Sequence, residues 1–331
     1  MSISIKEIAK KANVSKATVS RVLNDKPDVN DKTRKRIFRI MEENNYVPNE
    51  SARNLSLGIV NTVAMIVPSD NPSYINIIKR VNNKLFKKNM DLLFYVTNHN
   101  PELELKQLKK LKEKNLAGLI YIKSLESSNN DVEKYLDKLN FPILLINSQV
   151  NVDSDFDQIC YDEFDISYTC IQKLIDADHK NISILSTPLN LNYEKTRYNG
   201  ILQALNDNNI PIDKSKIYYP EEITLEEGYR LSKDLLNDNN KVICSLSNIL
   251  TLGLVKAVNE MNLEISDYSI ISYGELDTLN NIGYNFSTVW LSTDELVDKI
   301  IKMIFYRMKN PEKDSKKVLL NKEIKLRGSE R

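Results

Sequence analysis

Apolar residues recur along the chain with two different textures, and the change falls near residue 60. Before it, Ile5, Ile8, Ala9 and Ala12, then Val19, Val22 and Leu23, then Ile37, Ile40 and Met41 follow helical spacing. This predicts three helices, over 5–12, from Ser15 onward, and over about 31–44. Ser15 and Asn30 are suited to cap the second and third, because their side-chain oxygens can accept the orphan N–H groups of a first turn. Asn13 tolerates the left-handed turn that the short connection needs. Two short helices about three residues apart form the helix-turn-helix arrangement.

Beyond residue 60, short apolar runs alternate with amphipathic stretches. Strands are predicted at 62–68, 92–96, 118–122, 142–146 and 158–161, with helices at 75–88 and 102–114. The pattern then repeats, with helices at 164–175, 196–206, 226–236 and 250–261 and strands at 182–185, 242–244 and 269–273. Alternating strands and helices imply parallel sheets covered on both faces, and the repeat implies two such units. The fold class is α/β, with a three-helix head followed by two doubly wound parallel-sheet subdomains.

The second helix has a distinctive outward face. Val19, Val22 and Leu23 turn inward, whereas Lys16, Ala17, Ser20 and Arg21 turn out. Small, basic and hydroxylated side chains suit a surface pressed into a DNA groove. Small groups allow close approach, Arg can bond guanine edges bidentately, and hydroxyls can hold phosphates. Charge supports this reading. Through Gly58 there are 12 Lys and Arg against 7 Asp and Glu, and beyond it 34 against 38. A basic head on a mildly acidic body is the electrostatic footprint of a nucleic-acid-binding module joined to another domain.

Composition narrows the remaining classes. The 331 residues are 41% hydrophobic and 27% charged, as in a globular protein of two or three domains. No apolar run approaches the ~20 residues that span a bilayer, so no membrane partner is expected. The N-terminal residues lack a signal-peptide pattern. Cys160, Cys170 and Cys244 are widely spaced and read as buried thiols in a reducing cytosol, so a cytoplasmic location is expected. His99 and His179 lie in polar stretches without metal-ligand spacing, and no P-loop, dinucleotide turn or nucleophile motif occurs. An enzyme, a metal site and a cofactor are therefore not expected.

The ordered series from Ile5 to Asn24, continued by Thr33-Arg34, by Asn45-Tyr46-Val47-Pro48-Asn49 and by Ser51-Ala52-Arg53-Asn54-Leu55, resembles the head of the LacI/GalR family of bacterial regulators. That resemblance implies a helix-turn-helix domain at 1–48, a hinge helix and linker at 49–60, and an effector-binding domain at 61–331. The last resembles a periplasmic-binding-protein-like sensor, with one subdomain at about 61–160 and 291–321 and another at about 161–290 and 322–331. It further implies that Lys16, Ala17 and Arg21 read bases. Thr18, Asn24, Thr33, Tyr46 and Asn49 would lie near phosphates, and Ala52 beside Leu55, the residue wedged between base pairs. A hinge helix this short is marginal alone and would order only with its dimer mate in the minor groove.

Ligands of such folds sit beyond the carboxyl ends of strands, in the cleft between subdomains. Arg197, whose family counterpart contacts the effector, offers a fork of donors for hydroxyls, a carboxylate or a phosphate. Ser69, Asn71, Asn147, Tyr193 and Asn248 occupy the appropriate loops. In Ser272-Tyr273-Gly274-Glu275, Gly274 falls where sugar-responsive members carry an acid, which leaves Glu275. Trp290, the sole Trp, falls at a crossover, where its ring can stack on a sugar face or serve as interface core. The expected protein is a repressor of a carbohydrate-utilisation operon, a homodimer on a palindromic double-stranded operator, switched by a small sugar-like effector. The alternative is a catabolite-control-type regulator whose corepressor is a phosphorylated carrier protein, docked on Lys79, Arg80, Lys84, Lys87 and Lys88.

Overall fold

The computed structural model describes residues 3–46, 60–123, 130–146, 155–189, 192–238, 240–274, 279, 283–290 and 292–331. The chain divides into two compact units, Met1–Val60 and Asn61–Arg331. The expected hinge helix, with Asn49, Ala52 and Leu55, lies outside the described residues, as do Asn147 and Glu275.

In the first unit, helices α1 (Ile5–Lys11), α2 (Lys16–Leu23) and α3 (Asp31–Glu43) enclose one small core. Each begins at a capping side chain. Ser4 and Glu7 form a reciprocal capping box, Ser15 accepts from the Thr18 N–H at 3.1 Å, and Asn30 accepts from the Thr33 N–H at 2.8 Å. Asn13 adopts the left-handed conformation at φ 49°, turning α1 into α2. Ile8, Ala9, Ala12, Val19, Val22, Val29, Ile37, Ile40 and Met41 are buried together, with Tyr46 packed against them.

The second unit holds two six-stranded sheets. The first has the order β11-β5-β4-β3-β1-β2, formed by Thr62–Val67 (β1), Asp91–Val96 (β2), Gly118–Ile122 (β3), Ile143–Ile146 (β4), Asp157–Tyr161 (β5) and Lys317–Leu320 (β11). The second has the order β12-β10-β9-β8-β6-β7, from Ile182–Leu185 (β6), Ile217–Tyr218 (β7), Val242–Ser245 (β8), Ser269–Tyr273 (β9), Ser287–Trp290 (β10) and Glu323–Lys325 (β12). Among the described residues all strand pairs are parallel, as expected, except the edge pair β10–β12. The cause is topological. Only Asn321 and Lys322 separate β11 from β12, so the chain runs directly from the carboxyl end of β11 into the second sheet and meets β10 in the opposite direction.

Helices cover both sheets: α4 (Pro72–Phe86), α5 (Pro101–Lys112), α6 (Asn130–Leu136), α7 (Glu163–Asp176), α8 (Asn192–Asp207), α9 (Leu225–Asn237), α10 (Asn248–Glu260) and α11 (Thr293–Lys309). The predicted elements do not include α11, which follows β10 of the second sheet yet packs on α4, β3 and β4 of the first. Gly118 admits it, because a Cβ there would stand 2.9 Å from Ile304 Cδ1. The chain thus passes between the sheets three times, after Tyr161, after Trp290 and at Asn321–Lys322. Helix α8 begins four residues before its expected start, which puts Arg197 in its second turn.

Candidate functional site

The candidate nucleic-acid surface is the outward face of α2. Lys16, Ala17 and Arg21 are exposed, while Thr18, Ser20 and Asn24 are half-buried along its flank. Thr18 Oγ1 lies 2.9 Å from Ser15 Oγ, so that hydroxyl also supports the cap. Arg21 meets Asp28 at 3.3 Å, but their side chains are 57% and 55% exposed. Exposed pairs of this kind hold a side chain weakly and let it exchange to another acceptor. Arg34 differs. It bonds Asp25 and the Lys26 carbonyl, both at 2.6 Å, and pins the loop after α2 against α3. Thr33 sits in the first turn of α3 and Tyr46 beside the head core, so both are half-buried at the edge of this unit.

In the second unit the carboxyl ends of the strands carry a compact charged cluster. Arg197 donates from Nε and Nη2 to Glu163 Oε2 at 3.2 and 3.0 Å. Its Nη1 reaches Glu194 Oε2 at 3.4 Å and the Leu246 carbonyl at 3.3 Å. The guanidinium carbon lies 4.4 Å from the Tyr273 ring centre. The second Glu163 oxygen accepts from Lys322 Nζ, and Thr187 Oγ1 donates to Glu194. Side-chain exposures are 9% for Arg197, 4% for Glu163 and 13% for Lys322. Ser167 Oγ donates to the Glu163 carbonyl at 2.6 Å, so the bonded Tyr273 hydroxyl is the donor to Ser167.

Electrostatics follow this packing. Burial alone would raise the Glu163 carboxyl, but Arg197 and Lys322 outweigh it and hold its pKa below the ordinary carboxylate range. Burial pushes the Lys322 ammonium below its ordinary value, and Glu163 only partly offsets this. Beneath the cluster, Cys170 and Cys244 are fully buried. Burial pushes the Cys244 thiol up to about 12 and raises Cys170 well above its usual value, which disfavours the thiolate at both.

These contacts change the expected part of Arg197. Its donor fork does not point into open solvent; two buried carboxylates and a carbonyl already engage it. Removing it would strand Glu163 and Glu194, so Arg197→Ala would report on folding as much as on ligand binding. Asn71 caps α4, accepting from the Tyr74 N–H at 3.0 Å, and Ser69 is half-buried on the loop before it. Trp290 ends β10 with Lys325 Nζ 3.6 Å above its ring, so one aromatic face is covered. A Cβ on Gly274, at φ +86°, would lie 3.2 Å from Asn248 Cγ; the Asn248 side chain occupies the space beside that glycine. Tyr193 lies in the first turn of α8, and its side chain is outside the described residues.

The structure adds Glu163, Glu194, Lys322, Thr187, Ser167 and the rings of Tyr161 and Tyr273. One sequence signal could have exposed Glu163, a carboxylate placed two residues beyond a buried strand. Nothing local marks Lys322, whose partner is 159 residues away. The basic run on α4 is largely occupied within the fold. Arg80 pairs with Asp294, Lys84 with Asp298, and Lys88 lies over Phe305. Both ion pairs are partly exposed, and Lys79 and Lys87 are exposed without such a partner among the described residues. Among the described residues no cluster of three or more His, Cys, Asp or Glu could hold a metal ion, and no helix is long and apolar enough to cross a membrane.

Comparison with known proteins agrees with both halves of this description. Residues 4–49 match the family of bacterial regulatory proteins, lacI family, and residues 60–298 match the periplasmic binding proteins and sugar binding domain of LacI family. The NTD biosynthesis operon regulator NtdR of Bacillus subtilis is 33% identical over 274 residues, covering 81% of this chain and 82% of that protein. The HTH-type transcriptional repressor PurR of Mannheimia succiniciproducens is 26% identical over 98% of both chains. Among solved structures, the lac repressor dimer bound to operator and the anti-inducer ONPF superposes with a TM-score of 0.84 at 19% identity, covering 100% of this chain and 99% of that one. The chain belongs to the LacI family, as a transcriptional repressor with a DNA-binding helix-turn-helix head and an effector-binding body.

Proposed function

We propose that this repressor acts in the cytoplasm as a homodimer on a palindromic operator of a carbohydrate-utilisation operon, and that a sugar or sugar derivative in the cleft sets its operator affinity. The observation that carries this reading is the exposed Lys16-Ala17-Arg21 face of a helix capped by Ser15 and held by a buried core. Lys16, Ala17 and Arg21 read base edges, Thr18, Asn24, Thr33, Tyr46 and Asn49 approach phosphates, and Leu55, beside Ala52, unstacks a central step from the minor groove. The effector lies at the strand ends around Arg197, Asn248 and Trp290, with Ser69, Asn71, Asn147, Tyr193 and Glu275 completing the wall. The lac repressor, which shares this fold and was solved as a dimer on operator with an anti-inducer, supports the same division of labour.

The switch is a change of order in the hinge helix. An effector that favours one orientation of the subdomains would bring together or separate the paired hinge segments. Moving the equilibrium from 1:99 to 99:1 needs a difference of about 5.5 kcal/mol in effector affinity for the two states.

Selection of binding sites from random duplexes tests the proposal. The full chain is expected to enrich a two-fold symmetric site, and Leu55→Ala to bind that site more weakly and bend it less. Enrichment of no symmetric site, or an unchanged affinity and bend for Leu55→Ala, would overturn it.

A further inference from the structure

The partners of Glu163 are held unequally, and the weaker one has the chemistry of a ligand. Arg197 meets Glu163 through two donors, is tied also to Glu194 and the Leu246 carbonyl, and rests on the Tyr273 ring. Lys322 has a single hydrogen bond to Glu163 at the end of a flexible four-carbon stem. It is the most exposed member of the cluster and springs from the link between β11 and β12, where the chain passes from one sheet to the other. Its ammonium lies 4.8 Å from the Tyr161 ring centre and 5.9 Å from that of Tyr273. Both distances are within the range of cation–π attraction. A buried carboxylate with two aromatic rings within reach of the group it binds is a receptor for an ammonium, and Lys322 occupies it.

Charge balance decides what could replace Lys322. With it seated, Glu163 and Glu194 are matched by Arg197 and Lys322. With it withdrawn, the cluster carries one uncompensated negative charge in a place largely closed to water, which is costly. A neutral hydroxyl would leave that charge, and an anion would double it. An incoming ammonium restores neutrality. Tyr161 ends a strand of the first sheet and Tyr273 a strand of the second, so an occupant touches both subdomains at the mouth of the cleft.

We propose that Lys322 is the internal occupant of an ammonium subsite formed by Glu163, Tyr161 and Tyr273, and that the effector of this repressor carries a primary amine that displaces it. This rests on the reading of the cleft as the effector site and names the chemical class of what enters it. An amine-bearing polyol satisfies both. Displacing Lys322 also frees the β11–β12 link, so occupancy of the subsite is felt where the subdomains join.

Truncation and chemical rescue in the full chain test this. Lys322→Ala empties the subsite, and n-propylammonium should refill it, raising the melting temperature of Lys322→Ala by about 2–4 °C. The wild type should not respond, because n-propylammonium lacks the polyol contacts with which an effector would compete against the tethered lysine. Neither should Lys322→Ala/Glu163→Gln, and sodium propionate at equal ionic strength should have no effect. Lys322→Ser is read in the same way if the alanine variant does not fold. Absence of rescue, or equal stabilisation by propionate, overturns the subsite. Operator binding measured on the same samples separates the two readings. A change of about fivefold or more in operator affinity on rescue supports an amine-bearing effector. Rescue with operator affinity unmoved leaves the subsite standing and overturns its link to the effector reading.

Discussion

The outward face of α2 and the cluster around Glu163 are both built from cations, yet they are built oppositely. On α2, Lys16 and Arg21 stand in solvent, and the ion pair between Arg21 and Asp28 is more than half exposed on both sides. At the strand ends of the body, Arg197 and Lys322 are almost closed off from water, with their partners supplied by the protein itself. The difference follows from where each set of cations finds its counter-charge. A DNA duplex brings its own dense negative charge, so cations that wait in water lose little when they transfer to phosphate or guanine. A cation removed from water meets no such external charge, so the fold itself must supply its counter-charge.

The sharpest way to break this comparison is to remove the same kind of contact from each surface. Glu163→Ala leaves the buried Lys322 without its anion and Arg197 with Glu194 alone, and should cost about 3–5 kcal/mol of stability in urea denaturation. A loss below about 1 kcal/mol would show the Glu163 cluster to be as wet as the head. Gly200→Ala comes next. Its Cβ would stand 2.3 Å from the Phe164 carbonyl, pushing α8, and Arg197 with it, away from α7. A cost of about 1–3 kcal/mol is expected in the same assay. In the head, Arg21→Ala should relax base preference at one position of each half-site by about 1–3 kcal/mol, measured by competition between operator variants. The same substitution should change stability by no more than about 0.5 kcal/mol, the smallest effect in the series.

Acid separates the two surfaces as well. The folded pKa of Glu163 lies below its ordinary value of 4.5, so its ionised form contributes stability that is fully present above that pH. The contribution is lost as pH falls through the lower, folded value. Melting temperatures followed below pH 4.5 should therefore drop steeply in the wild type and less steeply in Glu163→Gln; parallel curves would remove Glu163 from the acid transition.

How well each surface can be read in advance tracks the span of its contacts. In the head, Ser15 caps Thr18 three residues on, Asn13 makes the turn, and Arg21 meets Asp28 seven residues away. A helical wheel captures most of this. In the body, the alternation of buried strands with amphipathic helices is equally plain, because burial on both faces of a parallel strand demands a continuous apolar run. Departures come where local pattern is silent. Helix α8 starts four residues early, and α11 crosses back to the first sheet over Gly118. Arg197 meets Glu163 across 34 residues and Lys322 meets Glu163 across 159.

Periodicity and capping, which act over a few residues, are enough to specify a capped, basic, groove-fitting helix, a three-helix core to hold it, and two doubly wound units to follow. They say nothing of Arg197 as a buried buttress, of Glu163 between it and Lys322, or of the Asn248 side chain against Gly274. Those arrangements exist only once the chain is folded, when three passages between two sheets bring distant groups together. Removed from water there, their charges must be balanced by whatever neighbours the fold supplies.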